Sequence, residues 1–273
     1  MPRDHNAQLA VNMFNQLASL HGWSKTDAWK GIAILLLTCK IWRSGWANFH
    51  DVVVYKESNT FTVTPSGPNA TVKRGMDLSD YLAFELRVTR ADLCNFIGQY
   101  WLDPAVSNLQ PNNLVGHAFR SIVVDILERY GNPAITYQEE VDPYDEFPGY
   151  TFHMRSKKPR IDIIARKGGL TVAILSTRWR YRHDRVDLVD ESLAYIQPAR
   201  RAYNNCGFFG VIGECSPARI EKVLDHCPPK DPHGSINAAV HFNPELITKG
   251  LKENGRMAHL KSLLWLIDET FTW

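Results

Sequence analysis

The chain has 273 residues, 44% hydrophobic and 22% charged, which excludes an intrinsically disordered chain and leaves room for one large domain or two lobes. Thirty-one Lys and Arg against 29 Asp and Glu give a formal net charge of +2, so bulk charge alone gives no argument for a nucleic-acid partner. Five cysteines (Cys39, Cys94, Cys206, Cys215 and Cys227) are an odd number at irregular spacing, which argues against a disulfide framework and fits a reducing cytoplasm.

The start of the chain, MPRDHNAQLAVNMF, is polar and then amphipathic, unlike a signal peptide. Residues 5–45 carry helical periodicity: Leu9, Met13, Phe14, Leu17 and Leu20, then Trp29, Ile32, Leu35, Leu36, Cys39 and Trp42. Ser24 is placed to cap the second of these helices. The longest apolar run, residues 31–39, is too short to span a bilayer and is closed by Lys40, so it predicts a buried helix. Trp23, Trp29, Trp42 and Trp46 fit the core of a helical lobe. Residues 50–64 read as two strands about a turn at 57–59, residues 66–69 as a loop, and residues 78–100 as helix. Pro104 and residues 107–113 mark a boundary, giving a mostly helical N-terminal lobe over 1–106 and a second domain over 107–273.

The second domain has a more informative order. Residues 113–130 predict an amphipathic helix closed by Gly131 and Pro133. A strand over 135–141, an acidic turn over 142–148 and a strand over 160–166 follow. Gly168-Gly169 then makes a tight turn into a strand over 170–175. Beyond it lie a helix over 188–204, a strand over 208–212, a helix over 218–226, a strand over 236–241 and a helical tail over 244–271. The order α-β-β-β-α-β-α-β-α predicts an α/β fold, a mixed central sheet flanked by helices. Cys206, Cys215, Cys227, His226 and His233 fall in one stretch, but without CxxC or HxxxH spacing they read as buried thiols and surface histidines, not a zinc site.

The chemistry concentrates between residues 157 and 191. Asp162 is an acid in an otherwise apolar strand with Ile161, Ile163 and Ile164, which is costly unless a cation or partner satisfies it. Arg160 or Arg166 could be that partner in a purely structural role. Hydrolysis of a phosphodiester needs a hard divalent cation held by carboxylates, an oriented water, and positive charge for the transition state. Asp162 can hold the cation, and Arg178, two residues past Ser176, can meet a phosphate. A second acid is then required, and Asp190 and Glu191 lie in the next helix. One of Glu139-Glu140 could reach the metal, but the two read better as an exposed pair at a strand edge; His117 could play a supporting role, but reads better as a core or surface histidine. Residues 155–185 hold ten Lys and Arg against Asp162 and Asp184, an excess of eight that predicts a local basic face for phosphates. Within it Arg178, Arg180, Arg182 and Arg185 interleave with Trp179, Tyr181 and Asp184.

At these residues the chain resembles the PD-(D/E)xK nucleases, and among them the CCGG family of type II restriction endonucleases. Lys158-Pro159-Arg160-Ile161-Asp162 resembles the family's (Lys/Arg)-Pro-Asp element, with two residues intervening. Ser176-Thr177-Arg178 resembles its Ser-x-Lys, and Glu191 lies where that family recruits its relocated acid. Arg182-His183-Asp184-Arg185 resembles the Arg-x-Asp-Arg element that reads the CCGG core. The resemblance covers residues 113–215. It implies a restriction-endonuclease-like core with Asp162, Ser176, Arg178 and Glu191 as catalytic residues, and Asp162 and Glu191 as ligands of Mg²⁺. It also implies Arg182, Asp184 and Arg185 as DNA-reading residues, a palindromic site with a CCGG or CCNGG-like core in double-stranded DNA, 5′ overhangs, and a homodimer or homotetramer. Arg178 departs from the pattern, because arginine stands where lysine is usual and cannot give up a proton near neutral pH. That leaves two alternatives open: a catalytically impaired, sequence-specific DNA-binding protein, and a non-restriction nuclease of the same class.

Overall fold

The computed structural model describes residues 5–42, 82–89, 92–93, 111–152, 158–179, 187–203, 205–214, 217–245 and 255–273. The chain divides into two compact units, Arg3–Ile122 and Val123–Trp273. The expected boundary at 106/107, the strands expected over 50–64 and the loop at 66–69 lie outside the described residues.

In the first unit, α1 (His5–His21) and α2 (Trp29–Trp42) follow the sequence periodicity. Ala7, Ala10, Val11, Phe14 and Leu17 form the buried stripe of α1 at helical spacing. Residues 32–36 of α2 are buried all round, as their unbroken apolar run requires, and Trp23 is buried beside Phe14. Ser24 does not cap α2. It opens a separate turn, where its hydroxyl donates to Asp27 Oδ2 at 2.8 Å, and α2 begins only at Trp29. Of residues 78–100, the described stretches 82–86 and 92–93 are helical.

The helix α3 (Pro111–Tyr130) opens on a proline, whose missing N–H costs nothing at a first helical position. In the second unit six strands form one mixed sheet in the order β1 to β6: β1 (Ile135–Val141), β2 (Ile161–Lys167), β3 (Leu170–Arg178), β4 (Gly207–Ile212), β5 (Ala238–His241) and β6 (Lys261–Ser262). The pairs β1–β2 and β2–β3 are antiparallel, and β3–β4, β4–β5 and β5–β6 are parallel. The fold is thus α/β, with α4 (Pro143–Glu146), α5 (Asp187–Tyr203), α6 (Pro217–Leu224) and α7 (Leu263–Glu269) accompanying the sheet. The acidic turn is in fact the short helix α4, capped by the Asp142 carboxylate accepting from the Tyr144 N–H. The tail is not one helix. Its described residues form a 3-10 turn (Gly255–His259), β6 and α7, and a two-residue strand reading Lys-Ser carries no hydrophobic alternation that a sequence could display.

Two features of the sheet set the position of the site. Gly168 and Gly169 both have left-handed φ (58° and 84°), so the β2–β3 turn is open only to residues that tolerate that region. A bulge between Ala165 and Arg166 shifts the register by one residue: Ala165 faces Ala173, but Arg166 faces Thr171. Above β3 and β4 lies α5, whose Leu188, Val189, Tyr195, Ile196 and Ala199 join Ile164, Ile174, Phe208 and Ile212 in the core. Its approach depends on Gly210, where a Cβ would lie 2.8 Å from a Leu188 methyl.

Candidate active site

The strand β3 runs three residues past its expected end, to Arg178, and so carries Ser176, Thr177 and Arg178 in regular structure. Continuing the register of Ile163 with Leu175 puts Asp162 opposite Ser176, and Ser176 pairs with Gly210 of β4. The row lies at the C-terminal end of β3, where α5 begins its return over the sheet. Open α/β sheets gather their chemistry at such strand ends.

Asp162 and Glu191 converge on the same two side chains. Arg178 Nη1 donates to Asp162 Oδ2 at 2.8 Å, and Nη2 donates to Glu191 Oε1. Ser176 Oγ donates to Glu191 Oε2 at 2.7 Å and lies 3.5 Å from Asp162 Oδ2. Thr177 gives Asp162 Oδ2 two more bonds, from its N–H at 2.7 Å and its hydroxyl at 3.1 Å. All hydrogen bonds to Asp162 from the described residues therefore fall on Oδ2, leaving Oδ1 without a donor among them. Asp162, Arg178 and Glu191 side chains are largely but not wholly enclosed, at 16%, 21% and 14% exposure. Burial pushes the Glu191 carboxyl up to about 7; Arg178 pulls it back, and the nearby Asp162 charge adds to the rise.

The donor set here is oxygen only, from two carboxylates and a hydroxyl. That set suits a hard cation such as Mg²⁺, Mn²⁺ or Ca²⁺ and not zinc, and the open Oδ1 fits the same reading. Asp162 and Glu191 are the residues that could hold such an ion. The structural pairing considered for Asp162 does not occur: Arg160 binds Asp142 at 2.9 Å, and Arg166 binds Glu146.

The structure brings Asp162, Ser176, Arg178 and Glu191 together. Asp190, the other candidate acid, points outward and is exposed. Arg182, Asp184 and Arg185 lie outside the described residues. Glu139 and Glu140 are half-buried and not the exposed pair expected, although β1 lies at the edge of the sheet among the described residues. Glu140 stands at the register position of Asp162 with φ 55°, a left-handed conformation uncommon for a non-glycine residue. His117 is half-buried on α3. The basic face is reduced by internal bonding, since Arg160, Arg166 and Arg178 engage acids and Lys167 donates to the main-chain oxygen of Trp273. Linear counting cannot separate such cations from free ones.

Three neighbours escaped the sequence reading. Thr177 is a strand residue whose amide and hydroxyl both serve Asp162. Tyr195 lies one helical turn past Glu191, fully buried against Phe152, with no hydrogen-bond partner for its hydroxyl among the described residues. Burial raises its phenol, and the Glu191 and Asp162 charges raise it further. Glu214 is buried just beyond β4 and bonds Arg219 at 2.8 Å, while its neighbour Gly213 donates to the Arg178 carbonyl at 2.8 Å. Only Tyr195 left a usable signal, its i+4 spacing from a candidate acid. Cys206 and Cys227 are buried thiols pushed up to about 12 by their burial. Among the described residues no helix is long and apolar enough to cross a membrane.

No family model matches the chain, and no curated protein matches it. Among solved structures, a complex of the restriction endonuclease PspGI with substrate DNA aligns with 82% of this chain and 90% of that one, at 11% identity and a TM-score of 0.35. A likeness that distant assigns neither an activity nor a residue role.

Proposed function

We propose that the chain is a Mg²⁺-dependent endonuclease of the PD-(D/E)xK class, a type II restriction enzyme that cuts double-stranded DNA at a palindromic site with a CCGG or CCNGG-like core. The observation that carries this reading is the convergence of Asp162, from a strand, and Glu191, from the following helix, on one guanidinium and one hydroxyl. Asp162 and Glu191 would hold the divalent cation, which would supply Lewis-acid polarisation of the phosphate and lower the pKa of a water. Ser176 orients Glu191 through its 2.7 Å bond, and Thr177 fixes the Asp162 carboxylate so that Oδ1 faces outward from its donors. Arg178 contributes positive charge to the phosphate but takes no proton, because a guanidinium stays charged at any working pH. Arg182 and Arg185 suit bidentate bonds to guanine O6 and N7, and Asp184 suits the cytosine N4 donor. A palindrome cut on both strands calls for a two-fold symmetric homodimer, or a tetramer built from two.

The test is a plasmid digest by the purified chain with Mg²⁺, followed by sequencing of the ends. Discrete fragments sharing a CCGG-like core are expected, absent with a chelator and reduced roughly 100-fold or more in Asp162→Asn. A smear without common ends points to a non-restriction nuclease of the class. The engagement of Arg178 by both acids favours a second reading, a protein that binds the site but cuts poorly. That protein would shift a CCGG duplex in a gel without cleaving it, and Arg178→Lys would raise its cleavage.

A further inference from the structure

Resting on the nuclease reading, we propose that Arg178 is an internal counter-ion that competes with the divalent cation for the Asp162–Glu191 pair, so that guanidinium and metal occupy it alternately. Each oxygen of Glu191 accepts one hydrogen bond, Oε1 from Arg178 Nη2 and Oε2 from Ser176. Asp162 has one oxygen to offer, Oδ1, while its Oδ2 accepts from Arg178 Nη1 at 2.8 Å and twice from Thr177. Each oxygen of Glu191 keeps a second lone pair, so the obstacle to a cation shared by the two acids is the charge of the guanidinium that lies on both of them.

Of the two donors, the charged one must yield. The Ser176 hydroxyl is neutral and can turn to accept from a bound water. The Arg178 guanidinium stays charged and repels a divalent ion at contact distance. One guanidinium spans both acids, Nη1 on Asp162 and Nη2 on Glu191, with Nη1 also donating to the Thr177 carbonyl at 2.9 Å. The pair also has an unsatisfied polar neighbour. The hydroxyl of Tyr195, one helical turn past Glu191 on α5 and fully buried, has no hydrogen-bond partner among the described residues, and a buried donor left unsatisfied is unfavourable.

The experiment titrates Mn²⁺ into the full-length chain without DNA and follows free Mn²⁺ by electron paramagnetic resonance. The wild type is compared with Arg178→Met, Arg178→Lys and Asp162→Asn. Arg178→Met should bind Mn²⁺ at least about tenfold more tightly than the wild type. Arg178→Lys, whose ammonium reaches one carboxylate in place of two, should fall between them. Asp162→Asn should bind weakly. Thermal melting with and without Mn²⁺ checks that each variant is folded, and should give a larger Mn²⁺-induced rise for Arg178→Met than for the wild type. Equal or weaker binding by folded Arg178→Met and Arg178→Lys, with the wild type binding well, overturns the competition and leaves the nuclease reading standing. Absence of binding by all of the folded proteins overturns both.

Discussion

Near its turn, the β2–β3 hairpin joins one acid to one arginine: Glu146 takes Arg166 and accepts from Thr171 Oγ1 at 2.5 Å. At its open end it joins two acids to one arginine: Asp162 and Glu191 share Arg178, with Ser176 between them. The first cluster is electrically complete, and Gln138 adds a 2.6 Å bond to Arg166. The second is one positive charge short, and burial, with the nearby Asp162 charge adding to it, pushes the Glu191 carboxyl up to about 7. Charge stoichiometry thus separates two clusters that look alike as ion pairs. A closed pair fastens α4 to the sheet, while an open one has capacity for another cation.

Breaking the closed pair should have the largest effect on stability. Glu146→Ala leaves Arg166 without its buried acid and should cost about 3 kcal/mol in urea unfolding, the lower end for such a loss because Arg166 is partly exposed. If the loss is within ~0.5 kcal/mol, the cluster does not fasten anything.

The open pair should behave oppositely at neutral pH. Burial raises the Glu191 carboxyl from 4.5 to about 7, so the folded state binds this proton more readily than the unfolded state. That stabilisation is complete below pH 4.5 and lost as pH rises through about 7. Glu191→Gln, with no proton to lose, should match the wild type near pH 5 and exceed it at pH 8 by up to about 3 kcal/mol in chelator. Parallel stability profiles for the two proteins between pH 5 and 8 would contradict the assignment of an open charge to Glu191.

The smallest change expected is at Tyr195. Its hydroxyl has no partner among the described residues, so Tyr195→Phe should alter stability by less than about 1 kcal/mol, and in the favourable direction. A loss beyond 2 kcal/mol would mean that the hydroxyl is bonded in solution.

Much of the open cluster was legible in the sequence. Asp162 stood out as an acid among isoleucines, the glycine pair fixed a hairpin, and Ser176, Arg178 and Glu191 lay at offsets that a strand followed by a helix brings together. The closed cluster was not legible. Glu146 looked like one more acid in a solvated turn, because its partners are 20 and 25 residues away and the bulge that aligns Arg166 with Thr171 leaves no mark in composition. The strand β6 was missed for a related reason: a sheet edge formed by two residues is a product of tertiary contact, not of local pattern. The arginines at 160 and 166 looked available for phosphate because a count of cations is blind to internal partners.

The bulge at Ala165 and Arg166 has a consequence for how this hairpin tolerates change. Successive strand residues face opposite ways, so a one-residue slip carried along the whole pair would turn the Asp162 carboxyl away from α5. Confined to the last two pairs beside the glycines, the mismatch ends before it reaches Ile164, and the acid keeps its heading. The tip is therefore where insertions, tags or grafted loops can enter the chain without turning over the strand that carries Asp162.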